Sequence, residues 1–377
     1  MKISFRHGWA MLSAAVLSLT ALPLSAVSSV TSLSAAAAAA PVVENLDRGI
    51  VAIKSGNGML VSWRFLASDP TGTEFRLYRD DQLLMTSKGD EATCFYDESG
   101  SVSARYRVDS LVNGTVQTTS TCSLISGTDY FQIPMDVPTA SDCTYSPNDC
   151  SVGDVDGDGV YELFVKWDPS NSKDNSQKGK TGNVYIDCYK LTGEKLWRID
   201  MGKNIRAGAH YTQFLVADFD GDGYAEMTCK TADGTVDGTG KTIGDSSKDY
   251  RNSSGYILSG PEYYTLFDGR TGAALDTVNY VPDRGTVSKW GDKYGNRVDR
   301  FLGSVAYLDG VHPSAVTIRG YYTRMTATAY DVVDKKLVQR WKFDTGNGLW
   351  RWQPQLYASR CRRGWQAGNH IGFDLSG

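Results

Sequence analysis

A short acidic loop occurs twice in the sequence with the same spacing. The first copy reads DVDGDGVYE at residues 154–162, and the second reads DFDGDGYAE at residues 218–226. Carboxylates this close repel one another unless a cation lies between them, and carboxylate and carbonyl oxygens are the ligands that Ca²⁺ prefers. The predicted ligands are Asp154, Asp156, Asp158, Val160 (through its carbonyl) and Glu162 in the first loop, and Asp218, Asp220, Asp222, Tyr224 (through its carbonyl) and Glu226 in the second.

The segments that flank the two loops predict strands. LFVKW follows the first loop at residues 163–167, and TQFLVA precedes the second at residues 212–217, so both flanks are apolar and rich in β-forming residues. An EF-hand, by contrast, has helical flanks and its closing glutamate at position 12 of the loop. We therefore interpret each loop as a β-turn held by Ca²⁺, with a pair of acidic surface turns as the alternative.

A second repeated element is a pattern of strand, tight turn and strand. It occurs three times, at residues 185–197, 264–275 and 328–341. A degenerate third copy of the acidic loop lies at residues 305–317, where Tyr307, Val311 and Ala315 replace the first and third aspartates and the glutamate. Repeats of an acidic loop and a hairpin predict the blades of a β-propeller. At about 40–50 residues for each blade, residues 129–348 would hold four or five blades of an incomplete propeller.

Residues 41–128 form a separate predicted domain. Runs such as MLVSWRF at residues 59–65 and ARYRVD at residues 104–109 alternate with the period of half-buried strands, and turn signals separate them. A tryptophan on an early strand, Trp63, and a tyrosine on a late one, Tyr106, are typical of a small β-sandwich of the fibronectin type III kind. The predicted fold class is therefore all-β, with a sandwich followed by a partial propeller.

Residues 1–40 have the pattern of a secretory signal peptide. Lys2 and Arg6 precede an apolar stretch at residues 9–24, and a segment rich in alanine and serine follows. No second long apolar stretch occurs, which argues against a membrane protein. We therefore expect a secreted, extracellular protein whose mature chain begins near Pro41.

Composition excludes some classes of partner. The formal net charge is -4 at pH 7 with acidic and basic residues interspersed, so the sequence predicts binding neither to nucleic acid nor to an anionic membrane. The 7 cysteines show no metal-binding spacing. In an oxidising compartment Cys94 could pair with Cys122, or Cys143 with Cys150, and isolated buried thiols are an equal alternative.

Several long polar motifs have no general structural reason to occur together. They read YSPND, KWDPSNSKDNS, GKNIRAGAHYTQ, CKTADGT and RGYYTR, at residues 145–149, 166–176, 202–213, 229–235 and 319–324. On these motifs, the chain from Asn45 to Phe343 resembles the bacterial rhamnogalacturonan lyases of polysaccharide lyase family 11, which have a calcium-bearing eight-bladed propeller. The predicted sandwich resembles the N-terminal β domain of that family as well.

The resemblance implies a Ca²⁺-dependent rhamnogalacturonan I endolyase, which cleaves the galacturonate–rhamnose backbone of pectin by β-elimination and which we expect to be a monomer. This chemistry requires a cation that offsets the uronate carboxylate, a base that removes the C5 proton, and a group that stabilises the leaving oxygen. The alternative is a non-enzymatic calcium-propeller module for carbohydrate binding or adhesion, which would use the same acidic loops.

Residue types suggest candidates for the substrate site, and none of them is assigned as the catalytic base. Arg206, Arg319 and Arg324 carry guanidinium groups whose geometry matches a uronate carboxylate. His210 lies on a glycine-flanked approach to a strand, where a binding residue or a structural histidine would fit equally. Tyr322 has the side chain to stack on a sugar ring.

Other features near these motifs have structural alternatives. Lys166 and Lys230 follow their acidic loops in equivalent places, which favours a shared structural role over catalysis. Trp167 is suited either to sugar stacking or to core packing. The polar string at residues 168–175 contains more Asn, Ser and Asp than a turn requires, and it is the best candidate for a loop that lines a groove or binds an ion.

The strand pattern stops at residues 349–377. From Leu349 onward, a reading frame shifted forward by one base can encode DVDGDGKQE, a further copy of the acidic loop. We therefore expect that these residues are the product of a frameshift after Gly348 in a longer gene, whether real or from sequencing, and that Cys361 and His370 carry no function. On this expectation the propeller is truncated and the activity of the chain is doubtful.

Overall fold

A computed structural model describes residues 41–89 and 91–346. The predicted signal peptide and the predicted out-of-frame tail lie outside the described residues. The described part consists of β-strands joined by turns and loops, with a single 3-10 helix at Val287–Trp290. This confirms the predicted all-β fold class. Within these same residues no helix is long and apolar enough to cross a membrane.

The first eight strands form two four-stranded sheets that pack face to face. One sheet has the order β5-β2-β1-β8 and the other β4-β3-β6-β7. Their buried faces share a core that contains Trp63, Phe75 and Tyr106, so the predicted sandwich is present. The strands are β1 Val51–Ser55, β2 Gly58–Ser62, β3 Glu74–Arg79, β4 Gln82–Lys88, β5 Cys94–Asp97, β6 Tyr106–Val112, β7 Thr115–Thr121 and β8 Leu124–Ser126.

The rest of the described chain forms three antiparallel sheets, here called blades 1, 2 and 3. Blade 1 consists of β9 Tyr145–Gly153, β10 Glu162–Pro169, β11 Tyr185–Tyr189 and β12 Lys195–Asp200; blade 2 of β13 Phe214–Ala217, β14 Glu226–Thr231, β17 Tyr263–Phe267 and β18 Ala274–Asn279; and blade 3 of β19 Phe301–Tyr307, β20 Pro313–Arg319, β21 Thr326–Val333 and β22 Lys336–Asp344. A small hairpin, β15 Thr235–Val236 and β16 Thr242–Ile243, extends the sheet of blade 1 beside β12.

The repeats found in the sequence correspond to fixed places in each blade. The acidic loop, or its degenerate copy, joins the first and second strands, and the hairpin pattern forms the third and fourth strands. Apolar side chains of blades 1 and 2 share one core, to which Phe164 and Met227 belong, and blades 2 and 3 share a second core, to which Leu266 and Ala315 belong. The blades therefore stack side by side, as they do in a propeller.

The predicted number of blades is wrong for the described residues. The sequence predicted four or five blades, and the structure contains three between Tyr145 and Asp344. The reason is the length of the connections: residues 170–184, 201–213, 232–262 and 280–300 lie largely outside the four-stranded sheets. Repeat length was therefore a poor measure of blade number, because it was taken from propellers with short loops.

Antiparallel pairing sends alternate connections to opposite ends of the blades. The acidic loops and the hairpin turns lie together at one end, which we call the acidic end. The long connections start or finish at the other end, which we call the loop face and define as residues 170–184, 201–213, 244–262, 280–300 and 320–325. The acidic loops are thus separated from the long polar loops by the length of a strand.

The segment that leads into the sandwich, residues 41–49, crosses the acidic end and is called the strap. The amide of Val42 donates to the carbonyl of Val311 in blade 3 (2.7 Å), and the amide of Asp47 donates to the carbonyl of Gly159 in blade 1 (3.0 Å). Between them, the Glu44 carboxylate accepts a hydrogen bond from the amide of Asp154 (3.2 Å). The sandwich is therefore attached at the acidic end and leaves the loop face open.

The cysteines that were considered for disulfide bonds are free thiols. Cys94, Cys122, Cys143 and Cys150 have no disulfide partner among the described residues. They are isolated thiols, as in the alternative prediction, but they are not buried: Cys94 and Cys150 are exposed, and Cys122 and Cys143 are half-buried.

The buried hydroxyl of Tyr106 provides a test of the sandwich core. Tyr106 is almost fully buried and donates a hydrogen bond to the Asp97 carboxylate (2.8 Å). We expect Tyr106→Phe to lower the free energy of unfolding by about 1.5–3 kcal/mol, because the bond is made to a charged acceptor in the core. Chemical denaturation measures this change, and Tyr130→Phe, at a residue that is 58% exposed, is the control. Equal stability of the two variants would contradict the prediction.

Candidate functional site

Connections from different blades are tied together on the loop face. The carboxylate of Asp174, which follows β10, forms an ion pair with Arg300, which precedes β19 (2.9 Å). The amide of Gly179 donates to the carbonyl of Ser254 (2.9 Å), which joins the connections of blades 1 and 2. The polar string at residues 168–175 thus belongs to a loop that contacts its neighbours on both sides.

The buried side chain of Arg206 holds the backbone of this loop in place. Its side chain is 6% exposed and stacks on Tyr256 at 5.3 Å. The guanidinium donates to five backbone carbonyls, those of Lys173 (3.0 Å), Asp174 (3.4 Å), Gln177 (2.8 Å), Gly179 (2.9 Å) and Gly255 (2.6 Å). All five guanidinium donors of Arg206 are thus engaged by the protein, and uronate binding by Arg206 stays a prediction.

Arg319 is part of a buried group of charges. It is 1% exposed, and its guanidinium makes two hydrogen bonds to the Glu262 carboxylate (2.7 and 3.1 Å). Glu262 also accepts a hydrogen bond from Arg284 (2.8 Å) and forms an ion pair with Lys230 (3.2 Å), and the Asp299 carboxylate lies 3.4 Å from the Arg319 guanidinium. The partners of Arg319 are thus inside the protein, and its pairing with a uronate stays a prediction.

The pKa of Glu262 shows how strongly this group is coupled. Burial by itself would raise the pKa of this carboxyl, but Arg319, Lys230 and Arg284 together hold it well below its usual range. A buried carboxylate that is shared by three cations remains ionised. It connects blade 2, blade 3 and the long connection between them.

The same position on the second strand of each blade carries a buried cation. Lys166 in blade 1, Lys230 in blade 2 and Arg319 in blade 3 occupy it. Lys166 forms an ion pair with Asp149, whereas the other two pair with Glu262. The equivalence noticed in the sequence thus corresponds to an equivalent structural position with paired side chains.

The remaining arginine candidate and Trp167 are also engaged by the protein. Arg324 forms a two-point ion pair with Asp344 (2.9 and 2.5 Å) and stacks on Trp290 at 4.4 Å. Trp167 is 1% exposed, and its indole N–H donates to Asp187 (2.8 Å), so it packs in the core and does not stack on sugar.

His210 and Tyr322 remain accessible on the loop face. Tyr322 is 41% exposed, and His210 is half-buried. Burial and then the Arg300 guanidinium lower the pKa of His210, although Asp174 acts in the opposite direction. A lowered pKa favours the neutral form of the His210 imidazole, which can accept a proton.

Two residues of this area, Arg297 and Arg300, were missed from the sequence. Their guanidinium carbons lie 5.6 and 5.7 Å from the ring centre of Tyr322. They belong to an irregular connection that has no counterpart in the repeats. The dense run of basic residues at 284–300 was the one signal that could have drawn attention to them.

Charge is distributed unevenly between the two ends of the blades. Basic residues outnumber acidic ones on the loop face, whereas the acidic loops at residues 154–161 and 218–225 contain aspartates and no basic residue. The near-neutral total charge conceals this separation. An anionic polymer would be attracted to the loop face and repelled from the acidic end.

The second acidic loop gathers four carboxylates. Asp218, Asp220, Asp222 and Glu226 each place an oxygen within 4.8 Å of the others. Burial, followed by the charge of Asp220, raises the pKa of Glu226 to about 9. Both oxygens of Asp218 accept amide hydrogen bonds from the loop glycines, at 2.8 and 3.0 Å, which fixes its orientation. The amide of Tyr224 donates to Asp222, and a role for the Tyr224 carbonyl as a ligand stays a prediction.

The first acidic loop has the same backbone design and a looser set of carboxylates. Asp154, Asp156 and Glu162 place oxygens within 4.8 Å of one another, and Asp158 is not part of this group. Lys190, from the hairpin turn of the same blade, lies 2.5 Å from Asp156 and 4.0 Å from Asp158. The carbonyl of Val160 stays a predicted ligand, and its amide donates to Asp158 (2.8 Å).

The donor sets of both loops suit Ca²⁺. Carboxylate oxygens in a fixed loop are the ligands that this hard cation prefers. A divalent cation would also offset the mutual repulsion that contributes to the raised pKa of Glu226 and of Glu162, the latter to about 7 mainly through burial. The residues present therefore fit the ion that the sequence predicted.

Comparison with known families identifies the group of proteins to which this architecture belongs. The model of the C-terminal domain of rhamnogalacturonan lyase family 11 matches residues 130–355, and the model of the β-sheet domain of rhamnogalacturonan I lyases matches residues 41–124. The chain belongs to rhamnogalacturonan lyase family 11, which confirms the resemblance found in the sequence.

Individual relatives agree with this assignment. Rhamnogalacturonan endolyase YesW of Bacillus subtilis (strain 168) is 54% identical over 313 residues, and these cover 81% of this chain and 50% of YesW. Rhamnogalacturonan exolyase YesX of the same organism is 51% identical over 309 residues, covering 80% of this chain and 50% of YesX. The crystal structure of YesX superposes with a TM-score of 0.75 at 50% identity, covering 81% of this chain and 52% of that chain.

A rhamnogalacturonan lyase structure from Bacillus licheniformis is equally similar. It is 53% identical, has a TM-score of 0.74, and matches 81% of this chain and 53% of that chain. The chain thus spans about half the length of the curated relatives that it matches.

The buried charge group beneath the loop face can be tested through Glu262. We expect Glu262→Gln to lower the free energy of unfolding at pH 7 by about 3–5 kcal/mol, because it leaves buried cations without their shared partner. Chemical denaturation measures the change, and Glu194→Gln, at an exposed residue of a hairpin turn, is the control.

The effect of Glu262→Gln should depend on pH. Because the folded-state pKa of Glu262 is lowered, its stabilisation is complete above the unfolded-state value of about 4.3 and is lost as the pH falls further. The difference between the parent protein and the variant should therefore shrink in acid. A difference that is constant from pH 7 to pH 3 would contradict this account.

Proposed function

We propose that this protein is a rhamnogalacturonan lyase that binds its polymer across the loop face. The observation that carries the proposal is the cationic loop face of a chain that belongs to a lyase family. A polymer that contains galacturonate is an anion, so it would be held at this face and excluded from the acidic end. The relatives include one named endolyase and one named exolyase, and the endolytic mode stays a prediction.

We propose His210 as the proton acceptor of the β-elimination. The reaction removes the C5 proton of galacturonate, forms a C4–C5 double bond and expels the glycosidic oxygen from C4. A base for this step must be unprotonated at the working pH and reachable by the polymer. The neutral, half-buried His210 meets both conditions, and the neighbouring Arg300 lowers its pKa and adds positive charge near the uronate.

We also propose that each of the two complete acidic loops holds one Ca²⁺. The cation would fix the turn between the first and second strands of blades 1 and 2. Because these loops lie at the end opposite His210, the proposed role of the two ions is structural, through the position of the strands that carry the loop face. This role agrees with the recurrence of the motif from blade to blade.

We further propose that the protein acts outside the cell and as a monomer. Its proposed substrate is a polymer too large to cross a membrane, and the pattern of residues 1–40 predicts export.

Titration with Ca²⁺ tests the metal proposal. We expect two binding events in the parent protein, with the tighter one at the second loop, because four carboxylates converge there while Lys190 competes in the first loop. Asp218→Asn should abolish the tighter event and Asp154→Asn the weaker one, as followed by isothermal titration calorimetry. Asp309→Asn, in the degenerate third loop, is the control. Two unchanged binding events in Asp218→Asn would refute the assignment.

Incubation with rhamnogalacturonan I tests the catalytic proposal. We expect unsaturated uronate products that absorb in the ultraviolet, formation that stops when a chelator is added, and a fall in kcat of about 10²–10⁴-fold in His210→Gln. His312→Gln, at an exposed histidine of the acidic end, is the matched control. Binding of the polymer without cleavage would instead support the alternative of a carbohydrate-binding module.

A further inference from the structure

Tyr322 and Arg297 form a paired surface on the loop face. The guanidinium of Arg297 lies over the Tyr322 ring at 5.6 Å, and Tyr321 packs against the same ring at 5.0 Å with an interplanar angle of 37°. Tyr322 is 41% exposed, although large aromatic side chains are usually covered. The ring is therefore held in place by its neighbours while one face or edge stays open to solvent.

Arg297 differs in its electrostatic partners from Arg300, which lies at the same ring, and from Arg324, which lies over Trp290. Arg300 is committed to Asp174 and Asn296, and Arg324 to Asp344. Arg297, by contrast, has no carboxylate within 4.0 Å in the part of the chain that the structure describes. Its guanidinium thus retains hydrogen-bond donors for a ligand.

The position of Arg297 is nonetheless fixed by its backbone. Asp292 accepts hydrogen bonds from the amides of Arg297 (2.7 Å), Gly295 (2.7 Å) and Asn296 (3.2 Å), which closes the turn that carries the arginine. The turn fixes the backbone of Arg297 and the Tyr322 ring contacts its guanidinium, so this side chain loses less freedom on binding than an arginine in a mobile segment. The arrangement is a preorganised donor beside an exposed aromatic ring.

We infer that Arg297 and Tyr322 form a subsite for one galacturonate residue of an anionic polysaccharide. Arg297 would donate two parallel hydrogen bonds to the carboxylate, since a guanidinium matches this group bidentately. Tyr322 would pack against the apolar C–H face of the sugar ring. The inference rests on the proposed function, and it names residues that bind the substrate while His210 acts on it.

Nearby charge supports a uronate over a neutral sugar. Arg300 also lies at 5.7 Å from the Tyr322 ring, and its pairing with Asp174 leaves Arg297 as the uncompensated charge at this ring. A neutral sugar would leave that guanidinium to water alone, whereas a carboxylate would exchange solvent for a charge-assisted bond. The chemistry of the pair therefore selects the acidic sugar of the polymer.

Binding of two ligands to the parent protein and to Arg297→Gln tests this inference. The ligands are a fluorescently labelled rhamnogalacturonan I oligosaccharide and the same oligosaccharide after its carboxylates are reduced to alcohols, and binding is followed by fluorescence polarisation. We expect the parent protein to prefer the native ligand, and Arg297→Gln to bind it about tenfold more weakly while its affinity for the reduced ligand is unchanged. Arg297→Lys should keep part of the preference, because it keeps the charge and loses the fork.

Further variants separate the subsite from general effects on folding. Tyr322→Ala should weaken both ligands equally, because stacking does not depend on the carboxylate. Arg270→Gln is the matched control, since Arg270 also stacks on a tyrosine, Tyr224, at 4.6 Å but at the acidic end; it should leave both affinities unchanged.

The outcomes distinguish the inference from the proposed function. If the parent protein prefers the native ligand and Arg297→Gln keeps that preference in full, the subsite is refuted and the proposed function stands. If the parent protein binds neither ligand, both are refuted. A loss of preference in Arg270→Gln as large as that in Arg297→Gln would also overturn the subsite, because it would reflect total charge and not position.

Discussion

Antiparallel pairing within each blade determines where every connection of this protein can lie. Successive strands run in opposite directions, so the chain returns to the acidic end only after every second strand. Connections that follow one another in sequence therefore alternate between opposite ends. This constraint separates the acidic loops from the polar loops by a full strand, although the two kinds of loop are neighbours along the chain. The proposed Ca²⁺ ions and the proposed substrate site therefore lie at different ends of the same sheets.

The loop face needs a support that irregular segments cannot supply for themselves, because their backbone groups are not paired in a sheet. Two arginines provide it in different ways. Arg206 gathers the carbonyls of one long loop, and Arg319 joins Glu262 beneath the connection between blades 2 and 3. Buried arginine side chains thus hold these irregular loops in place, as apolar side chains hold strands and helices in a hydrophobic core. The accessible groups, among them His210, are positioned on this support.

The sequence was most informative where elements repeat. Alternating strands, acidic loops and hairpins each depend on local patterns, and the structure contains all of them at the predicted places. Arginines were the weakest part of the prediction, since residue type cannot tell whether a guanidinium faces a polymer or a buried carboxylate. Arg206 and Arg319 therefore looked like substrate residues, and Arg297 was overlooked because its loop has no repeat. Their roles depend on long-range contacts between irregular loops.

The strap binds directly to the degenerate third loop. In blade 3, Tyr307 stands where the other loops have their first aspartate, and its hydroxyl donates to the carbonyl of Val42 (2.8 Å), while the amide of Val42 donates to Val311. A segment of the protein's own backbone thus closes this turn through these two hydrogen bonds. Blade 3 would therefore stay attached to the strap in a calcium-poor medium. The strap is part of the same chain, so it cannot diffuse away as a bound ion could.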